Sequence, residues 1–114
     1  MTPDVMHIRR TGDDTAQIDI ALSREHVAFA GHFPGRPILP GIVQLNWAVS
    51  LAADAFHMPY RPARRCQVKF VRAMTPDDAV TMLWLRLDRV RSQLTFEYRV
   101  GAMIASSGRA WLDP

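Results

Sequence analysis

The sequence predicts an α+β fold, with one helix set against a large, mainly antiparallel sheet, and three observations predict it. Apolar residues alternate with polar ones in several separate stretches, the period of strands rather than helices. A helical period occurs in one long stretch only, Ile42 to His57. The chain has 114 residues, room for a single domain (residues 1–114) around one core, and it carries no internal repeat or low-complexity tract.

Each element follows from its local pattern. Val5 to Arg10 reads as a short strand, closed by the turn-forming Thr11-Gly12-Asp13-Asp14. In residues 16–22, Ile18, Ile20 and Leu22 share one face while Asp19 and Ala21 take the other, as in a half-buried strand. Between Phe29 and Gly41, three prolines and three glycines in thirteen residues forbid regular structure. The segment is nonetheless apolar, which predicts a packed, shaped loop of the kind that carries function. From Ile42 to His57 there is neither Pro nor Gly. At 100° per residue Ile42, Leu45, Val49, Ala52, Ala53 and Phe56 form an apolar arc, with Asn46, Ser50, Asp54 and His57 on a narrower polar arc beside it. Pro59 and Pro62 end the helix. The rest is strand: Cys66, Val68 and Phe70 alternate with Gln67 and Lys69, and Met74 to Asp78 turns the chain. Val80 to Leu87 is apolar on both faces and is expected at the centre of the sheet. Leu94 to Val100 alternates cleanly, and Met103 to Leu112 is last.

Composition excludes several classes. Hydrophobic residues are 48% and charged residues 22% of the chain, which excludes a disordered protein. No apolar run approaches the roughly 20 residues of a membrane span, and Met1-Thr2-Pro3-Asp4 lacks a signal-peptide layout, so no membrane association and a cytoplasmic location are expected. The net charge is +3, and thirteen of the fourteen basic residues are arginines. No basic run exceeds Arg64-Arg65 and none is interleaved with aromatics, so no nucleic-acid partner is expected; the charge favours an acidic one. His7, His26 and His57 are dispersed without carboxylates or cysteine at ligand spacing, so no metal site is expected. Cys66, the lone cysteine, alternates with core positions and reads as a buried, inert thiol. Trp47 reads as a packing residue.

The loop carries a resemblance. Gly31-His32-Phe33-Pro34-Gly35-Arg36-Pro37-Ile38-Leu39-Pro40-Gly41-Ile42-Val43 resembles the signature of the 3-hydroxyacyl-carrier-protein dehydratases of fatty acid synthesis. These are hot-dog folds, a long helix wrapped by a curved antiparallel sheet. Gln67 to Arg72 and the turn Met74 to Asp78 are similar to the family's strand and following turn, with Asp77 where glycine is usual. The Gln44-Leu45-Asn46-Trp47-Ala48 stretch resembles the dehydratase-like branch of aryl-polyene and related polyketide-type clusters.

The resemblance implies dehydration of a 3-hydroxyacyl thioester to a trans-2-enoyl thioester. This chemistry needs a base for the α-proton, an acid for the leaving hydroxyl, and donors for the thioester carbonyl. It makes His32 the base and Gly41 N–H the carbonyl donor, a role suited to the start of a helix, where N–H groups lack intrahelical partners. Phe33, Pro40 and Ser50 complete the implied substrate-binding set. The family's acid, a Glu or Asp fourteen positions after the histidine, is replaced by Asn46, which hydrogen-bonds but cannot deliver a proton. Asp54 lies about 12 Å further along the helix and does not substitute for it in the same pose. Three readings of Asn46 stand: it orients the hydroxyl or a water while His32 handles both protons; it marks a thioester-binding or thioester-processing relative that no longer dehydrates; or it is an ordinary helix-face amide. A non-catalytic binder, a structural partner subunit and a hot-dog thioesterase are the corresponding alternatives. No cofactor is expected beyond the phosphopantetheine of a carrier protein, or CoA, that holds the acyl chain. The implied partners are an acyl carrier protein and a second copy of the chain, with the site at the dimer interface and Asn46 facing the partner's histidine. Arg36, Arg61, Arg64, Arg65 and Arg72 lie where an acidic carrier could land.

Overall fold

The computed structural model describes residues 2–30, 35–78 and 80–114. Strands β1 (Asp4–Arg10) and β2 (Thr15–Ala21) form a hairpin; after the loop comes the helix α1 (Gly41–Ala55), then β3 (Ala63–Phe70), β4 (Val80–Asp88), β5 (Gln93–Val100) and β6 (Met103–Leu112). The six strands make one sheet in the order β1-β2-β4-β5-β6-β3, and every neighbouring pair is antiparallel. The helix packs on one face of this sheet, the hot-dog architecture expected from the loop.

The two-residue period decides which side chains meet it. Ala16, Ile18 and Ile20 of β2, Leu83, Leu85 and Leu87 of β4, Leu94, Phe96 and Tyr98 of β5, and Ala110 and Leu112 of β6 are buried together with Trp47, Ala48, Leu51, Ala52 and Ala55 of α1. Trp47 is 2% exposed, edge-on to the His26 ring at 5.4 Å, and its indole N–H has no partner among the described residues. Arg10 ties the end of β1 to the helix C-terminus, donating to Ala55 O at 3.1 Å with its guanidinium over Phe56. There the chain leaves the helix through His57 at φ 52°, while Met58 N–H donates to Ala53 O, a Schellman-type stop without glycine.

Three expectations change. Strand β4 is interior to the sheet, but its second apolar face is not covered: Met82 and Trp84 point outward and stay half-exposed, with the Arg86 guanidinium 5.8 Å from the Trp84 ring. On the helix, Ile42 is 64% exposed whereas Gln44 is buried, so the buried face is rotated from the expected arc. Apolar count placed Ile42 in the core; the direction of the first helical turn places it on the exposed ridge Ile42–Asn46–Ser50–Asp54. Cys66 shares its strand face with Val68 and Phe70, as expected, yet it is exposed. The helix lies over β4, β5 and β1; at β3, on the sheet edge, Gly41 of the helix meets the Phe70 ring, while residues 64–67 of that strand stay exposed.

Candidate active site

The site is built at the start of α1. Pro40, at the N-cap with φ −62°, brings the chain in extended, and its carbonyl accepts from both Val43 N–H and Gln44 N–H at 3.1 Å. The N–H groups of Gly41 and Ile42 find no partner among the described residues, as the geometry of a helix start dictates. Position 41 is closely approached: a Cβ there would meet the Phe70 ring, with Cε1 at 2.9 Å, and the ring would have to shift. Together Ile38, Leu39, Pro40, Gly41, Gln44 and Phe70, with Val71, Arg72 and Ala73, line a largely apolar cleft of about 470 Å³.

Polar groups reach this cleft from beneath. Gln44, 3% exposed, donates from its side-chain amide to Leu39 O at 3.0 Å and accepts from Ser106 Oγ at 2.7 Å. Its own carbonyl accepts from Tyr98 Oη at 2.6 Å. Full burial pushes the Tyr98 phenol well above its ordinary range, so the hydroxyl stays protonated as the donor. Sequence patterning gave Tyr98 only as an alternating residue of its strand and did not single out Ser106. Gln44 was marked only as part of the Gln44 to Ala48 stretch, not as a buried amide.

A second, polar cleft of about 260 Å³ adjoins the first through Ile38 and Ala73, and Arg24, Arg36 and Asp77 line it. Arg24 reaches Asp77 at 3.5 Å. Of the arginines expected as a landing surface, Arg61 donates to Asp113 O and Ser92 Oγ, Arg65 stacks on Trp111 at 4.3 Å, and Arg72 pairs with Asp78 at 3.0 Å. Those three hold the fold; Arg36 stands beside the cleft and Arg64 is exposed. A larger cleft of about 740 Å³ lies at the other end of the sheet around Arg86, Thr95 and Arg109, and includes no residue of the implied site.

Of the residues singled out in the sequence, Gly41 and Pro40 meet at the cleft. His32 and Phe33 lie outside the described residues. Asn46 and Ser50 do not line the cleft: both are exposed on the outer ridge of α1, one and two turns beyond Ile42. Within one chain, Asn46 stands on the exposed ridge of α1 while Gly41 lines the cleft, so the two implied site positions do not meet.

Known proteins resemble this chain in sequence and in fold. The sequence family described as ApeI dehydratase matches residues 8–109. Among solved structures, a chain of the dehydratase heterocomplex ApeI:P from Xenorhabdus doucetiae is similar at 29% identity and TM-score 0.87 over 100% of both chains. An uncharacterised protein from Erwinia carotovora subsp. atroseptica is similar at 25% identity and TM-score 0.78, over 100% of this chain and 98% of that one. A thioesterase from Haemophilus influenzae shares the fold alone, at 15% identity and TM-score 0.64 over 93% and 75% of the two chains. None of the curated proteins compared matches the sequence.

Proposed function

The chain belongs to the ApeI-like dehydratase family, and from that membership we propose that it dehydrates carrier-bound 3-hydroxyacyl thioesters to trans-2-enoyl thioesters in fatty-acid or polyene-type lipid synthesis. The observation that carries the reading is Gly41: a helix-opening glycine whose N–H has no partner among the described residues, lining an apolar cleft in a chain of this family. The thioester carbonyl accepts from Gly41 N–H, which stabilises the charge that gathers on oxygen as the α-proton leaves. His32 takes that proton from C2. The C2 electron pair forms the new double bond, the C3–O bond breaks, and the proton now on His32 goes to the departing oxygen, releasing water. Asn46, unable to supply a proton, orients the hydroxyl.

The reading needs a second chain, because Asn46 and Gly41 diverge within one protomer. An uncovered β3 edge supports this: Phe70, Val71, Ile42 and Met103 are all more than half exposed around it. A partner strand on β3 would cover that patch and bring its own helix ridge toward the cleft. The Xenorhabdus relative is described as a heterocomplex, so the partner is a second copy or a sister chain. In the polar cleft, Arg24 and Arg36 suit the phosphate of a pantetheine arm whose thioester end lies at Gly41.

Purified protein is offered 3-hydroxyacyl and trans-2-enoyl thioesters of several chain lengths, on carrier protein and on CoA. Interconversion that His32→Ala abolishes is expected; no turnover of any substrate at high enzyme sinks the proposal. A second reading, a non-catalytic thioester-binding partner subunit, is favoured by Asn46. It predicts an inactive wild type and activity in Asn46→Glu.

A further inference from the structure

Gln44 grips both carbonyls that precede the helix. Its side-chain Nε2 donates to Leu39 O at 3.0 Å and its backbone N–H donates to Pro40 O at 3.1 Å. Leu39 is held from the other side as well, its N–H donating to Met74 O at 2.8 Å. Gln44 is in turn anchored to the sheet, through Ser106 Oγ to its Oε1 at 2.7 Å and Tyr98 Oη to its carbonyl at 2.6 Å.

These bonds fix one direction. The Leu39–Pro40 peptide plane is set by the Leu39 carbonyl, and the proline ring locks the next φ near −62°. Only Pro40 ψ then separates that plane from the following one. The Pro40 carbonyl, held by Val43 and Gln44 N–H, shares that following plane with Gly41 N–H. We propose that Gln44 is a positioning residue for the thioester site: by tying Leu39 O to the sheet through its side chain, while the helix backbone holds Pro40 O, it sets the direction of the Gly41 N–H in the cleft. This rests on Gly41 as the carbonyl donor. An apolar residue of similar volume would fill the same space, so packing alone does not require an amide at position 44.

Gln44→Met keeps the volume and removes both side-chain bonds. A donor displaced by a fraction of an ångström is expected to lower kcat by about tenfold or more, with KM changed less than about threefold because the apolar cleft is intact. In 15N–1H spectra, the Gly41 and Ile42 amides should shift and exchange faster with solvent, while the β2 amides stay in place. Ser106→Ala removes one anchor and should move the same two amides less; it reads the proposal if Gln44→Met does not fold. Unmoved Gly41 and Ile42 amides in the folded variants, or wild-type kcat in Gln44→Met, overturn the positioning role. A wild type without turnover on any thioester overturns the functional reading instead, and the amide shifts still decide the positioning.

Discussion

Gly41 concentrates three demands at one residue: it opens α1, lines the cleft, and lies under the Phe70 ring. Gly41→Ala separates them. Alanine gains up to about 1 kcal/mol in helix propensity, and the Phe70 ring, 56% exposed, has room to swing away. Thermal stability should therefore change little. The displaced ring and the new methyl occupy the cleft, so kcat/KM should fall by about tenfold or more, as when a donor is withdrawn from a developing oxyanion. An unchanged kcat/KM would remove Gly41 from the site. At the same scale, the glycine and its helix-start position could be read from the chain as it stands. The Phe70 ring and the Gln44–Leu39 bond could not, since their partners are 29 and 5 residues away in sequence and meet only through the fold.

Among the elements, α1 was the most legible at its polar side: Asn46, Ser50, Asp54 and His57 are all exposed, as their arc requires. Its apolar side was misjudged at Ile42, because a helix wrapped by a curved sheet is apolar around most of its circumference, and period alone then fixes its rotation poorly. Gln44 breaks the pattern for a different reason: a buried amide is stable where every partner is supplied, and those partners come from β5 and β6. The helix also ends on a residue that is costly there. His57 holds φ 52° in the left-handed region, which a side chain disfavours by about 1 kcal/mol. His57→Gly should raise stability by about that amount, read as a higher Tm, with the dehydration rate unchanged because position 57 lies at the far end of α1 from the cleft.

In the whole molecule, the decisive feature is the unfinished edge. Strand β3 ends the sheet, the helix meets it at Phe70, and Cys66 is exposed on its face beside Val68 and Phe70. If a second chain completes the β3 side, the native protein should elute with twice the mass of 12.9 kDa. Cys66 should then react slowly with a thiol reagent, and faster on dilution into the monomer range. A monomeric elution with a fast-reacting Cys66 at all concentrations would remove the partner from the site.

What the sequence determined by itself was local: strand and helix periods, the proline–glycine loop, the helix start at Gly41, and the family, because each is written in neighbouring residues. Tertiary structure alone decided three things. Cys66 is exposed because its part of β3 lies uncovered at the sheet edge; Gln44 is an interior hub because Tyr98 and Ser106 rise beneath it; and Gly41 is closely approached because β3 brings the Phe70 ring against it. Burial and convergence depend on which distant segments meet, and no local period records that.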